Sequence, residues 1–366
     1  MAGPRTFSSG QISLGTSKAE TQVSASVPEK EIQWPHKPTP SLTGGGAMFI
    51  LSDNMRIIFF GSDDFAAVHL EQLLTSGHEV LACVTGPDKP QGRGMKVSVS
   101  PIKQIALDRK IPCLQPLTLK GGDIVDILRS YEADIFVVVA YGRLLTQEIL
   151  GLPKMLCMNV HGSLLPKYRG AAPINWAVLN GDKETGVTIQ KMALGLDAGD
   201  IIAQEVMSID DNENAAQLRK RMALVAAKLL VKTLDKRPGE KFLASPQDET
   251  LVSHAPKLTK EMGRVNWKNN ARSILDQVRG LQPWPGAYTF YNGKMLKILQ
   301  AQIITEDMGK AVPGQVIKVD KSGFIVACGD KALLIKEVQP EAGKVMPAQS
   351  FVAGYKIAQG SSMDIY

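Results

Sequence analysis

Few folds can accommodate the segment 134–140, whose sequence is DIFVVVA. Its central residues are all apolar, so a strand formed here carries apolar side chains on both faces of its sheet. Strands of this kind occur in parallel sheets that helices cover on both sides, whereas a strand with one face in water alternates polar and apolar residues. The segment therefore predicts a buried strand inside an α/β sheet.

Short apolar runs and helical patterns alternate through the part of the chain around this segment. Strands are predicted at 57–61 and 80–85, and helices at 65–76, 102–110 and 124–131. Such alternation is typical of a doubly wound, Rossmann-like parallel sheet. The ligand crevice of such a sheet lies outside the carboxyl ends of its strands.

Changes in composition divide the chain into four segments. Residues 1–54 are rich in Ser, Thr, Gly and Pro without an apolar period, which predicts a disordered leader or extension. Residues 55–240 form the predicted α/β domain, which a long amphipathic helix at 215–234 closes. Residues 241–259 are polar and punctuated by proline, as expected of a linker.

The last segment, residues 260–366, has a different pattern. A helix is predicted at 270–280. Five short strands follow it, at 286–291, 294–304, 314–319, 323–328 and 331–338. Five short strands separated by turn signals fit a small OB-type β-barrel.

Positive charge is concentrated in this last segment. Residues 260–366 hold 14 basic and 9 acidic side chains, a net charge of +5 out of +6 for the whole chain. A basic module beside a neutral one is typical of a protein that holds a polyanion with one part while another part does chemistry. A solvated lysine-rich surface gives the same count, so charge by itself leaves both interpretations open.

The sequence also argues against several classes of protein. No window approaches the roughly 18 uninterrupted apolar residues of a membrane-spanning helix, so we expect no membrane association. The 4 cysteines are widely separated and form no CxxC pair. This spacing argues against a zinc site or a disulfide framework, and we expect no metal.

The densest group of chemistry-bearing residues is NVHGSLLP at 159–166. A short strand at 157–160 would place Asn159 and His161 at i and i+2, on one face at its carboxyl end. Ser163 lies in the same motif but has no GxSxG elbow around it, so it is a poor candidate for a covalent nucleophile.

A second motif, GLDAGD at 195–200, adds the carboxylate of Asp197. An amide, an imidazole and a carboxylate at strand ends suit acyl-type transfer between nitrogen atoms. That reaction passes through a tetrahedral intermediate, whose oxyanion needs hydrogen-bond donors. It also needs a group that relays a proton from the attacking amine to the leaving amine.

A long basic loop is predicted after the second strand, at residues 87–100, and it contains Lys89, Arg93 and Lys96. Its sequence GRG at 92–94 lacks the spacing of a dinucleotide fingerprint or a P-loop, so a nucleotide cofactor is poorly supported. Long loops in compact domains are often functional, and a solvated surface excursion explains this loop equally well.

Taken together, these motifs resemble the formyltransferases that use 10-formyltetrahydrofolate. The matching segments are RIIFFGSDDFAA from residue 56, DKPQGRG from 88, VVVAYG from 137, NVHGSLLPKYRGAAPINWAVLNGDKETGVTIQKM from 159 and GLDAGDI from 195. The resemblance covers about residues 55–366 and is closest to the members that formylate methionyl-tRNA. Its long ordered central stretch makes chance agreement negligible.

The resemblance implies a role for each matching residue. The catalytic residues would be Asn159, His161 and Asp197. The folate site would include Ser163, Leu164, Leu165 and Pro166. The basic loop would contact the acceptor end of the tRNA through Arg93 and Lys96, and the C-terminal barrel would bind the tRNA. The usual Lys-Lys of the family reads Met95-Lys96 here, which implies one basic contact fewer.

Pattern and resemblance together predict formyl transfer from 10-formyltetrahydrofolate to the α-amino group of initiator methionyl-tRNA. We expect a monomer in the bacterial cytoplasm, or in an organellar matrix if residues 1–54 are a transit segment. Two other classes stay open. One is folate-dependent transfer to a sugar nucleotide, a glycinamide nucleotide or water, against which the basic C-terminal module argues. The other is a non-catalytic RNA-binding protein, which has no use for an intact Asn, His and Asp.

Overall fold

The computed structural model describes residues 54–91, 96–235, 242–305 and 309–363. The strands before residue 260 are β1 (Arg56–Gly61), β2 (Glu79–Val84), β3 (Lys89–Gln91), β4 (Lys96–Ser98), β5 (Cys113–Leu114), β6 (Ile135–Val139), β7 (Leu156–His161), β8 (Arg169–Gly170), β9 (Glu184–Lys191), β10 (Ile201–Ser208) and β11 (His254–Ala255). The helices are α1 (Asp64–Leu74), α2 (Pro101–Asp108), α3 (Gly122–Ser130), α4 (Gln147–Leu150), α5 (Pro173–Leu179) and α6 (Ala215–Leu234).

Seven of these strands form one sheet in the order β10-β9-β7-β6-β1-β2-β5. Strands β7, β6, β1, β2 and β5 are parallel, which confirms the predicted parallel α/β sheet. Strand β9 is antiparallel to β7, and β10 is antiparallel to β9. These two strands are antiparallel because a short loop, residues 192–200, joins them in place of a helical crossover.

The apolar segment 134–140 contains β6, and all five residues of this strand are buried. Ile135, Val137 and Val139 pack into a core with α1, α5 and α6. Phe136 and Val138 pack into a second core on the opposite face, with α3 and α4. A strand that supplies two separate cores needs apolar residues at every position, and this need explains the absence of alternation.

The part of the chain after residue 260 contains an antiparallel sheet and two helices. They are α7 (Ala271–Gly280), β12 (Ala287–Tyr291), β13 (Lys294–Ile304), β14 (Val316–Asp320), β15 (Gly323–Ala327), β16 (Ala332–Pro340), β17 (Met346–Pro347) and α8 (Ala348–Tyr355). The order β12-β13-β16-β15-β14, with β17 on β16, confirms the five predicted strands. The OB-type barrel stays a prediction, and α8 was not predicted.

The predicted linker is hydrogen-bonded to the α/β domain over much of its described length. The backbones of Ser245 and Ile201 exchange two hydrogen bonds, of 2.8 and 2.9 Å. Strand β11 pairs in parallel with β8, so that Ala255 lies beside Gly170. Residues 242–259 therefore follow the surface of the α/β domain. The domain boundaries predicted from composition stay predictions, and residues 1–53 and 236–241 lie outside the described chain.

Helices α5 and α7 bring the two halves together. The Asn175 side chain donates to the carbonyl oxygen of Gly280 at 2.7 Å. Gly280 packs so closely on Leu179 that a Cβ there would lie 2.7 Å from the Leu179 Cγ. Within the described residues, no helix is both long enough and apolar enough to cross a membrane.

Candidate active site

Strand β7 positions the first two predicted site residues at its carboxyl end. Met158 and Val160 point into the core shared with α6, so Asn159 and His161 lie on the other face of the sheet. The Asn159 side chain is half-buried, and its amide has no hydrogen-bond partner among the residues that the structure describes. An amide of this kind is free to bond a ligand at the strand end.

His161 is 6% exposed, and each ring nitrogen faces one group. Its Nε2 lies 3.0 Å from the carbonyl oxygen of Tyr168, and its Nδ1 lies 3.6 Å from Oδ1 of Asp197. A carbonyl oxygen only accepts, so Nε2 carries a hydrogen and donates to Tyr168. In the neutral ring Nδ1 is then an acceptor, whereas in the imidazolium both nitrogens donate.

Asp197 reaches this position from the loop between β9 and β10. Its backbone is in the left-handed region, with φ of 50°. The backbone N–H of Gly170 donates to its Oδ2 at 2.9 Å, and the side chain of Gln190 donates to its Oδ1 at 3.2 Å. Two donors and the nearby imidazole therefore fix both oxygens of a carboxylate that is 13% exposed.

Two residues hold the loop between β9 and β10 in place: Gly199 within the loop, and Gln247 from the predicted linker. Gly199 packs so tightly that a Cβ would lie 1.6 Å from the carbonyl oxygen of Lys191. The Gln247 amide donates to the carbonyl oxygens of Asp197 and Gly199, at 2.8 and 2.7 Å. Its own oxygen accepts from the buried Arg169 at 2.9 Å. The segment 242–259 thus contributes to the position of the Asp197 carboxylate.

The predicted folate turn begins directly after His161. Ser163 is fully buried, and its hydroxyl donates to the carbonyl oxygen of Lys167 at 2.6 Å. Leu165 is also buried, whereas Leu164 and Pro166 are partly exposed. Ser163 and Leu165 therefore shape the turn from inside, and the side chains of Leu164 and Pro166 are the ones that reach its surface.

Thr188 and Gln190 of β9 were missed by the sequence analysis. Thr188 lies opposite His161 in the β7–β9 ladder, and its hydroxyl bonds the backbone of Ser163 and Leu165 at 2.7 and 3.0 Å. Both residues are polar although they are at most 2% exposed. Polar residues two positions apart on a buried strand are the signal that would have identified this face.

The predicted tRNA contacts can be placed only in part. Strands β3 and β4 form an antiparallel hairpin around residues 92–95. Arg93 lies outside the described residues. Lys96 begins β4, and its side chain also lies outside the description.

Among the described residues, no other histidine and no cysteine is a hydrogen-bond partner of Asn159, His161 or Asp197. Burial lowers the pKa of His69 to about 4, so the ring is neutral inside the core. His78 lies near Met55 in the core and His254 is exposed, while His36 lies outside the described residues. All four cysteines are free. In the described ranges, no group of three or more His, Cys, Asp or Glu could hold a metal ion.

Comparison with known proteins extends these observations. Residues 55–234 match the formyl transferase family, and residues 257–356 match the C-terminal domain of formyl transferases. The methionyl-tRNA formyltransferase of Caldanaerobacter subterraneus subsp. tengcongensis is 45% identical over 308 residues, which are 84% of this chain and 99% of that protein.

Two solved structures share the fold. An N-formyltransferase from Helicobacter canadensis, in complex with folinic acid and dTDP-3-aminofucose, has a TM-score of 0.58 at 20% identity, over 77% of this chain and 99% of that one. HypX from Aquifex aeolicus, in complex with tetrahydrofolic acid, has a TM-score of 0.56 at 18% identity. The match covers 84% of this chain and about half (49%) of HypX. Since both halves match and a 45% identical relative is covered almost completely, the chain belongs to the formyl transferase family.

Proposed function

We propose that the protein transfers the formyl group of 10-formyltetrahydrofolate to the α-amino group of initiator methionyl-tRNA, which gives formylmethionyl-tRNA for translation initiation. One observation carries the proposal: the Asn159 amide, which has no partner among the described residues, lies two residues from His161, whose Nδ1 is 3.6 Å from the Asp197 carboxylate. A donor and a proton acceptor thus meet at one strand end, in a chain of which 84% is similar to a methionyl-tRNA formyltransferase.

In the proposed reaction the neutral α-amine attacks the formyl carbon. A carbon–nitrogen bond forms to the amine and the bond from that carbon to N10 of the folate breaks. One proton leaves the amine and one arrives at N10, so the transfer is balanced without an outside reactant. Asn159 donates to the formyl oxygen as negative charge develops on it. Asp197, which already accepts from Gly170 and Gln190, relays the proton directly or through one water.

His161 supports both of these groups. Its bond to the Tyr168 carbonyl fixes the ring, and Nδ1 faces Asp197. In the imidazolium form Nδ1 donates to the Asp197 carboxylate while Nε2 donates to Tyr168, and the positive charge of the ring also favours the negative charge that develops on the oxyanion. The buried carbonyl of Tyr168 thus fixes which nitrogen of His161 faces the reacting groups.

The side chains exposed at the carboxyl edge of the sheet are of a kind that suits folate binding. Leu117, which follows β5, is 78% exposed, and Leu144, which follows β6, is 72% exposed. Arg143 joins these two loops by donating to the carbonyl oxygens of Pro116 and Leu117, at 2.7 and 2.6 Å. Exposed apolar side chains at the sheet edge where the Asn159 amide also lies suit a flat ring system that carries a transferable formyl oxygen.

The tRNA is proposed to bind the basic C-terminal half, with Arg93 and Lys96 at its acceptor end. A hollow of about 440 Å³ beside the active site suits the 3′-terminal nucleotides. Its lining includes Ala171 and Ala172, which follow Gly170 directly, together with Lys257, Arg219 and Trp284. Trp284 is 50% exposed. An exposed indole that lines the same hollow as two cations provides a stacking surface and charges for phosphates.

Replacing Trp284 with Ala is expected to raise the KM for charged tRNA by about 5- to 100-fold, the usual value of one base stacked on an aromatic ring. The kcat and the KM for the folate should stay within about twofold of wild type, because Trp284 belongs to neither β7 nor the Asp197 loop. Steady-state kinetics with each substrate varied in turn measures this. An unchanged KM for tRNA would exclude the hollow as the nucleotide site.

The function itself is tested with radiolabelled 10-formyltetrahydrofolate and three acceptors in parallel: charged initiator tRNA, charged elongator tRNA and free methionine. We expect label on the charged initiator alone. Folate turnover without labelled tRNA would overturn the proposal in favour of a hydrolase or another amine acceptor. Binding of tRNA without any folate turnover would instead identify a non-catalytic RNA-binding protein.

We also propose that the enzyme acts as a monomer in the bacterial cytoplasm. The relative described above is bacterial. Gel filtration of the full chain with light scattering tests the monomer.

A further inference from the structure

Gln190 presents an unsatisfied group beside the active site. The residue lies on β9 and is 2% exposed. Its Nε2 donates to Asp197, while its Oε1 is buried and has no hydrogen-bond partner among the described residues. Buried polar atoms are nearly always paired, so an orphaned oxygen next to a catalytic group calls for a donor.

The orientation of the Gln190 amide follows from its neighbour. The oxygens of the Asp197 carboxylate only accept hydrogen bonds, so the NH₂ group of Gln190 must face them. Turning the amide over would place two acceptors 3.2 Å apart. The carbonyl oxygen is therefore the atom that points away from Asp197 and lacks a partner.

The strand register identifies the missing donor. Gln190 lies opposite Asn159 in the antiparallel β7–β9 ladder, so the two side chains are on the same face. Directly opposed Cβ atoms in such a ladder are about 4.5–5.5 Å apart, which an Asn and a Gln side chain can bridge. Across β10, Gln190 pairs with the apolar Ile201, and the neighbouring Thr188 hydroxyl donates to Ser163. On these described strands, Asn159 holds the free donor.

We propose that Gln190 is a positioning residue that connects the two halves of the catalytic chemistry. In the reactive complex its Oε1 accepts from one N–H of Asn159, and the second N–H of Asn159 points at the formyl oxygen. Its Nε2 holds Asp197 at the same time. This inference rests on the proposed function, because it assigns Asn159 to the formyl oxygen and Asp197 to the proton.

The expected benefit is preorganisation. An amide side chain with one N–H anchored has its other N–H direction fixed, so less reorientation is needed as charge develops on the formyl oxygen. Because one residue bonds both Asn159 and Asp197, it also sets the spacing between the oxyanion donor and the proton acceptor.

The first test is Gln190→Met, which keeps most of the side-chain volume and removes both hydrogen bonds. We expect kcat to fall by about 10- to 100-fold, less than the loss of an oxyanion donor itself, with the KM for the folate within about twofold of wild type. The matched control is Thr185→Val on the same strand, because Thr185 is 3% exposed and its hydroxyl also lacks a partner in the described structure. That variant should keep wild-type kcat.

A double-mutant cycle separates positioning from a general structural effect. If Gln190 acts partly through Asn159, the Gln190→Met change should cost less in an Asn159→Ala background than in the wild type, because only its contact with Asp197 is then left to lose. Equal losses in both backgrounds would overturn the proposal, as would a folded Gln190→Met protein with wild-type kcat.

Gln190→Glu provides a second variant in case the Met variant does not fold. It retains an acceptor for Asn159 and places a second carboxyl group next to Asp197. Like charges at this distance raise the pKa of the pair, so the acid limb of the kcat profile should move about one pH unit or more upward. An unmoved limb would overturn the proposal that Gln190 positions the Asp197 carboxylate for proton transfer.

A crystal structure of the wild-type protein with folinic acid gives a readout that does not depend on turnover. We expect Asn159 Nδ2 within about 3.2 Å of Gln190 Oε1, a normal hydrogen-bond distance, and a separation beyond about 3.5 Å would overturn the inference. Failure of the function is recognised separately, because the wild-type chain would then formylate no charged tRNA in the acceptor assay whatever this distance is.

Discussion

Replacing Asn159 with Ala is expected to lower kcat by about 10²- to 10³-fold, which is the usual effect of removing one oxyanion donor. The KM for the folate should change little, because the folate site is proposed to depend mainly on the Ser163–Pro166 turn and the loops after β5 and β6. Single-turnover formylation of charged initiator tRNA at saturating folate measures the effect. It separates the chemical step from product release.

Asn212→Ala is the matched control for this variant. Asn212 is exposed, and its side chain has no hydrogen bond to another described residue, so its removal should leave kcat unchanged. If Asn159→Ala retained wild-type kcat while it remained folded, Asn159 would have no role at the formyl oxygen, and the mechanism would need another donor.

Replacing Asp197 with Asn is expected to lower kcat by about 10²- to 10⁴-fold, the usual contribution of a general acid–base group. The change removes the proton acceptor. It also turns an NH₂ group towards one of the two donors, Gly170 or Gln190, that now bond the carboxylate. The loop should therefore become less ordered, in addition to losing its proton acceptor. The pH profile of kcat over the accessible range is the most informative measurement.

Asp200→Asn tests whether any carboxylate of this loop would serve. Asp200 lies three residues further on, and its backbone oxygen accepts from Lys191, whereas its side chain has no bond to another described residue. We expect this variant to keep wild-type kcat within about twofold. Equal losses in the two variants would show that loop charge matters and that Asp197 has no individual role.

Much of the fold could be predicted because its strongest determinants are local in sequence. The apolar run in β6 and the helical patterns around it specify a parallel sheet covered on both sides. Strand β10 was missed because it is an edge strand with several exposed residues and no clean alternation. Helix α8 was missed because eight residues between turns carry too little periodicity to separate a helix from a loop.

The candidate site was predictable to the extent that its residues share a short motif. Asn159 and His161 are two positions apart, so their common face follows from strand geometry alone. The residues that support Asn159 and Asp197 do not share such a motif. Gln190 could be assigned to Asn159 only when the register placed the two residues opposite each other, and Gln247 lies in a segment whose polar, proline-rich composition indicates a linker. Composition does not show which backbone carbonyl a side chain will bond.

Residues 242–259 follow the α/β domain in the sequence, yet they hold part of its candidate active site. The α/β domain alone therefore lacks some of the residues that position this site. A fragment that ended near residue 240 would contain Asn159, His161 and Asp197 but would lack Gln247 and Ser245, which hold the 192–201 region. The same segment leads directly into the basic half. A tRNA bound to that half would therefore be connected to the Asp197 carboxylate by an ordered stretch of backbone. Shortening or loosening this stretch would then affect both formyl transfer and tRNA binding.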